Sequence, residues 1–335
     1  MRSSIVCLLG AGFSYVAGVP LAKDLLKPIR LITMSERSRR RFLVVREHYE
    51  TWQRDHPGEY PEQYMGLVYT QSAGPTAPQW DWVVEYVCTV IASVGTPPAS
   101  LNRNPRYSNR VNRPFYCDAH RQFWNAMTYI TGDVSVITTN YDILVERVLR
   151  HRPMRRPPSP GCFYGGLTKP QILTGAAQPF SRWVPERTIQ MTGTIPVFKL
   201  HGSLNWTLVD KSIVAFQDMR PVFRHGGTAA IIPPVSEKFV PSWLKGIWRE
   251  ADVSLRRSDV WVVCGYSMPA YDTEVLDLLK TGGSGRPVTI LLLSPEADAL
   301  RGRWISLLPQ ANIVCLPGLP EGVEPLARQL ASLFR

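Results

Sequence analysis

The six cysteines of this 335-residue chain (Cys7, Cys88, Cys117, Cys162, Cys264 and Cys315) are scattered, and no two form a Cys-x-x-Cys pair. Such spacing gives neither a zinc ribbon nor a disulfide framework, so no metal site is expected. Also missing is any apolar run near the roughly 18–20 residues that a membrane-spanning helix needs. At the N-terminus one arginine precedes about five apolar residues, short of the roughly 7–15 in a signal-peptide core, and a cytoplasmic protein is expected. No nucleic-acid-binding motif is present. A dinucleotide-binding dehydrogenase would carry an acidic residue about 20 residues past its first glycine turn, at the end of a second strand. Here Asp24 falls in a stretch read as helix instead, which speaks against that class.

What is there belongs to an ordinary globular protein. Hydrophobic residues make up 44% and charged ones 19%, enough for one large domain or two modest ones with a substantial core. The net charge is +11, and much of the excess sits in Arg37-Ser38-Arg39-Arg40-Arg41 and in Arg150-His151-Arg152 with Arg155-Arg156. Two solvated surface patches are the plain reading, and contact with DNA or an acidic partner surface is the sharper one.

The run Ile5-Val6-Cys7-Leu8-Leu9 has strand character and ends in Gly10-Ala11-Gly12-Phe13-Ser14. A buried strand running into a glycine turn and a helix N-terminus is how α/β folds bring backbone N–H groups onto a pyrophosphate. An ordinary tight turn uses the same residues, so this stretch alone leaves both readings open. Gly18-Val19-Pro20 follows, with a helix expected from Leu21 to Ile32. Residues from about 30 to 130 read as a mostly helical insertion, with helices over 37–52, 80–94 and 115–129. An α/β rhythm returns with a strand over 133–137 and a helix over 143–150. The Pro- and Gly-rich stretch 153–194 is expected to cover the sheet edge or a site mouth. Short strands over 197–200 and 213–216 follow, then a helix over 241–256. Strands over 260–264, 288–293 and 312–316 alternate with helices over 273–279, 296–305 and 321–334. That alternation predicts an α/β fold, a Rossmann-like doubly wound parallel sheet in a single domain.

Ligands in open parallel sheets bind beyond the carboxyl ends of the strands. Four expected strands end in small or polar residues: Gly10-Ala11-Gly12 with Ser14, Thr138-Thr139-Asn140-Tyr141-Asp142, Lys199-Leu200-His201-Gly202-Ser203, and Gly265-Tyr266-Ser267. Singly, each is a common turn or helix cap. Together with Gly18-Val19-Pro20, and more loosely Leu293-Ser294-Pro295, they resemble the catalytic domain of sirtuins. The likeness is greatest to the zinc-free, sirtuin-like branch of bacterial antiphage-defence NAD hydrolases.

That resemblance implies NAD as substrate. Gly10, Ala11, Gly12 and Ser14 would take its pyrophosphate, with Pro20 and Thr138 alongside. Gly265, Tyr266, Ser267 and Ser294 would take the phosphate and adenosine-ribose side. Asn140 would place a water by the nicotinamide ribose, Asp142 would line the nicotinamide pocket, and His201, with Gly202 beside it, would act as general base. An imidazole suits that task because its reference pKa of about 6.5 lets it accept a proton near neutral pH.

The departures also count. The paired cysteines that hold the zinc of deacylating sirtuins are absent, Leu21-Ala22-Lys23 stands where they have Asp-Phe-Arg, and Thr139 replaces a glutamine. Without a peptide groove, water becomes the expected acceptor and NAD glycohydrolysis the expected reaction. An NAD or ADP-ribose sensor without turnover, and an NAD-dependent deacylase, are the alternatives. The family's habits further imply a homo-oligomer and a protein partner, such as a HerA-type ATPase or an Argonaute-like protein. The helical insertion and the arginine clusters are the expected assembly surface.

Overall fold

Residues Ile5 to Leu9 carry no polar side chain, which suits a strand flanked on both edges and covered on both faces. The computed structural model of the protein describes residues 4–27, 35–74, 76–93, 118–128, 133–150, 162–167, 195–209, 212–215, 228–233 and 240–334. Its strands are β1 (Ser4–Leu9), β2 (Asp133–Thr138), β3 (Cys162–Tyr164), β4 (Ile195–Lys199), β5 (Gly202–Val209), β6 (Ser212–Ala215), β7 (Ala229–Ile231), β8 (Val260–Cys264), β9 (Thr289–Leu293) and β10 (Asn312–Leu316). Seven form one sheet in the order β10-β9-β8-β1-β2-β4-β3. Every pairing in it is parallel. The fold is a Rossmann-like doubly wound α/β sheet, as the alternating pattern predicts. From β1 the chain passes to β2, then to β3 at the edge and back to β4 between β2 and β3, and later places β8 on the other side of β1. This reversal opens a crevice beyond the carboxyl ends of β1 and β8.

The helices are α1 (Ala11–Tyr15), α2 (Glu36–Asp55), α3 (Pro61–Tyr69), α4 (Trp80–Ser93), α5 (Asp118–Thr128), α6 (Leu144–Arg150), α7 (Ser242–Arg257), α8 (Thr273–Gly283), α9 (Ala297–Leu307) and α10 (Val323–Leu333). Among the described residues none is long and apolar enough to cross a membrane.

Two expectations need correction. In place of a helix from Leu21, the described residues show a single 3-10 turn at Ala22–Asp24, and helical structure begins earlier, at Ala11. Pro20 pushes Val19 away from helical geometry, and Leu21 is extended at φ −71° and ψ 166°. Gly202 and Ser203, read as the end of the preceding strand, instead begin β5, the centre of an antiparallel sheet ordered β6-β5-β7. Of the expected cover segment 153–194, Cys162–Tyr164 is an edge strand beside β4. Most of the remainder lies outside the described residues.

The small sheet joins two cores because its side chains alternate between faces. Trp206, Ile213, Ala230 and Ile232 pack into the core of the large sheet. Leu204, Val214, Ala229 and Ile231 pack into a second core with Phe42, Val45, Tyr64 and Val87 of the insertion. The helical insertion is thereby held against the site-bearing end of the large sheet.

One ion pair is enclosed within this framework. Lys199 Nζ lies 3.2 Å from Glu146 Oε1, and both side chains are buried. The Tyr164 hydroxyl donates to the same carboxylate oxygen at 2.8 Å, and Lys199 also donates to the Asp142 carbonyl oxygen. Breaking a buried pair leaves an uncompensated charge, at a cost of about 3–5 kcal/mol. Lys199→Met is therefore expected to destabilise the protein by that amount in a denaturant titration. The double variant Lys199→Met/Glu146→Gln is expected to recover most of it.

Candidate functional site

The glycine turns after β1 and β8 interlock. Gly10 N donates to Cys264 O at 3.1 Å, and Gly12 N donates to Gly265 O at 3.0 Å. A Cβ on Gly10 would stand 2.5 Å from Gly265 O, and one on Gly12 would stand 2.8 Å from Gly265 Cα. Gly265 itself has φ +66°, and a Cβ there would meet Phe13 N at 2.2 Å. The glycines of the expected phosphate turn thus serve first to let two strand ends meet. Gly12's N–H is spent on Gly265, while Ala11 and Gly12 still line the cleft.

Beside them, Thr138 Oγ1 donates to Leu9 O at 2.9 Å and accepts from Asn140 N at 3.1 Å. Asn140 Nδ2 donates to Gly10 O at 2.9 Å and to Ser14 Oγ at 3.1 Å. A carbonyl can only accept, so these bonds fix the orientation of the amide. Both N–H bonds are used, and Oδ1 is what Asn140 has to offer a ligand. Asp142 Oδ1 accepts from Leu144 N at 2.9 Å. Burial pushes the Asp142 carboxyl up, opposed by the Lys199 charge and by hydrogen bonds from Leu144 N–H and the Ser14 hydroxyl. Ser14 thus ties Asn140 to Asp142.

His201 sits where β4 hands over to β5. Its backbone carbonyl accepts from Ile232 N at 2.9 Å, and Gly202, at φ +80°, presses against Ala230 O. Nε2 lies 3.2 Å from Asp272 Oδ1, with His201 2% and Asp272 1% exposed. Donation of an Nε2–H to that carboxylate puts the ring's lone pair on Nδ1. Asp272 stands at the N-cap of α8 yet makes no side-chain cap bond.

A cleft of about 1630 Å³ runs over these groups. Of the sequence-predicted residues, Ala11, Gly12, Pro20, Asn140, Asp142, His201, Gly265, Tyr266, Ser267 and Ser294 line it. Gly10, Ser14, Thr138 and Gly202 do not; they hold the lining from behind. His120, on α5, is a further support: its Nε2 is 2.7 Å from Phe13 O, and burial drives its pKa down to about 4.

Sequence reasoning missed Asp272, Glu62, Tyr60 and Tyr271, all of which line the cleft. An aspartate before a helix reads as a cap, and α3 shows no pattern beyond Pro61 at its start. Glu62 is 6% exposed, and its Oε2 is buried with no hydrogen-bond partner among the described residues. Burial raises its pKa to about 7, and the nearby Asp272 charge adds to this; hydrogen bonding to its own backbone and to Tyr271 pulls the other way. Among the described residues no group of three or more His, Cys, Asp or Glu is arranged to hold a metal. Of the arginine clusters, Arg41 pairs with Glu85 at 3.3 Å and lies 5.5 Å over Trp82, while Arg37 and Arg39 are exposed. The cluster beyond Arg150 lies outside the described residues.

No protein-family model matches the chain, and no curated protein matches it either. Among solved structures, a mutant of a Sir2 homologue in complex with ADP-ribose superposes with a TM-score of 0.43 at 16% identity, covering 99% of this chain and 93% of that one. A structure on sirtuin substrate affinity gives 0.39 at 15%, covering 99% and 94%. Cytosolic 5′-nucleotidase IIIB bound to cytidine gives 0.38 at 10%, covering 98% and 86%. Scores this low, shared by a nucleotidase, go no further than a layered α/β sheet.

The site generates two expectations. Gly265→Ala adds a clash with backbone to a left-handed conformation and is expected to cost on the order of 3 kcal/mol in thermal or denaturant unfolding. Glu62 has a folded pKa above its unfolded value near 4.5, so the stability it contributes is present at low pH and lost as pH rises towards 7. Relative to wild type, Glu62→Gln should therefore gain on the order of 3 kcal/mol between pH 4.5 and 8. Parallel urea titrations across that range check it.

Proposed function

We propose that the cleft binds NAD and hydrolyses its nicotinamide–ribose bond, giving ADP-ribose and nicotinamide. The observation that carries this reading is the convergence of the Asn140 amide, oriented by Gly10 and Ser14, with the His201–Asp272 pair in one cleft beside two interlocked glycine turns. The strand-end motifs that resemble sirtuins supply Gly10, Ser14, Asn140 and His201, while Asp272 lies outside them.

The chemistry asks little of the protein beyond placement. As the C1′–N bond breaks, its electron pair neutralises the pyridinium ring, and nicotinamide leaves as a neutral molecule. Water adds at C1′ and gives up a proton, which the imidazole accepts while Asp272 stabilises the resulting cation. Asn140 Oδ1 accepts a hydrogen bond from that water or from a ribose hydroxyl. Tyr15 and Tyr60, both exposed and both lining the cleft, supply apolar surface to cover the ligand.

Asn140 is 8% exposed and His201 2%, which favours a chain held quiet until the cleft opens. That suits an effector that drains cellular NAD when infection is sensed, under the control of a partner or of self-assembly, with exposed Arg37 and Arg39 as one candidate contact. It also favours the second reading, a sensor that binds NAD or ADP-ribose without turnover.

The test is nicotinamide release from NAD by the purified chain. Wild type is expected to turn over, while His201→Ala and Asn140→Ala, folded by circular dichroism, should lose about 100-fold or more. Asp272→Asn should lower kcat and shift the pH profile. Binding of NAD without cleavage, even with added DNA and candidate partners, would leave the sensor; release that depends on an acyl-lysine peptide would point to a deacylase.

A further inference from the structure

We propose that Glu62, delivered to the cleft by α3 of the helical insertion, is a ligand-binding residue that accepts a hydrogen bond from the hydroxyls of the ribose at the reacting end of the nucleotide. This rests on the reading of the cleft as an NAD site and extends it to a residue outside every strand-end motif. Three observations lead there. Glu62 lines the same cleft as Asn140 and His201. Its Oε2 is buried with no hydrogen-bond partner among the described residues, so it gains from a donor that a ligand brings. Its neighbours mark which end of the cleft it serves: Tyr271 contacts its carboxyl, and Asp272, which pairs with His201, is close enough to perturb it.

A vicinal diol is the donor group that fits. A phosphate facing this corner would meet the negative charges of Glu62 and Asp272, whereas ribose hydroxyls donate to carboxylates. Among the described residues, the groups that interact electrostatically with Glu62 are Tyr49, Tyr141, Tyr271 and Asp272, with Tyr60 beside Tyr271 and His201 behind Asp272. None of these is a lysine or arginine; Lys23, on the 3-10 turn packed against α3, and Arg303 line the same cleft. Because burial raises the Glu62 pKa to about 7, the carboxylate forms as pH passes through neutrality. Its contribution to binding should grow over that range.

The experiment compares ADP-ribose with ADP, which lacks the terminal ribose, by titration calorimetry on the full chain. At pH 8, Glu62→Gln should weaken ADP-ribose binding about tenfold or more and leave ADP binding unchanged. The gap between wild type and Glu62→Gln for ADP-ribose should widen from pH 6 to pH 8, with His201 common to both. Glu62→Asp, which keeps the charge but withdraws it, should also lose the preference for ADP-ribose over ADP. Equal ADP-ribose affinity in wild type and Glu62→Gln overturns the proposal and leaves the NAD reading standing. Equal losses for ADP and ADP-ribose overturn it too, as a general distortion of the cleft. A wild-type chain that binds neither ligand overturns both.

Discussion

The close approach of two backbone turns is the constraint on which the rest of this site depends. β1 and β8 are neighbours in register up to Leu9 and Cys264, and the chain must turn away from both at the same height. There is no room for a Cβ on Gly10, Gly12 or Gly265. With side chains there, the strand ends would be forced apart, and the carbonyls of Leu9 and Gly10 would lose the positions that orient Thr138 and Asn140. The glycines act on the polar groups of the site through backbone placement.

Behind that seam the polar groups hold one another. Thr138 caps the end of β1, Asn140 reaches across to Gly10, Ser14 bridges to Asp142, and the Asp142 carbonyl accepts from Lys199, which pairs with Glu146. A buried network of this kind is stable only when its members are satisfied together. Rigidity here has a function. A carboxamide that can rotate presents either donor or acceptor to a ligand, whereas Asn140, with both N–H bonds committed, presents the acceptor.

The parallel sheet was legible in the sequence because buried strands leave unbroken apolar runs and their helices leave regular spacing. Asn140, His201 and the glycines were legible because they lie at strand ends, where position already implies a site. Asp272 was not, since an aspartate before Thr273 looks like a cap until the structure shows its carboxylate turned to His201. Glu62 was less legible still: nothing local distinguishes it from a solvated glutamate near a helix start, and only the packing of α3 over the cleft buries it. The small antiparallel sheet escaped for a related reason. β5 follows β4 after only Leu200 and His201, and the histidine's chemistry drew those residues into one strand-end motif.

That same short connection explains how a helical insertion comes to share in the site. The peptide that places His201 also starts β5, whose two faces feed the two cores, Leu204 on the insertion side and Trp206 on the large-sheet side. The insertion helices are therefore referenced to the histidine through one strand and not through a flexible linker. Movement of α3 that carried Glu62 away from the cleft would have to open the core around Leu204, Val214 and Tyr64, or shift β5 and with it His201. Glu62 and the His201–Asp272 pair are thus coupled by packing as well as by charge, and an agent that displaced the insertion would disturb the corner of the cleft around His201 directly.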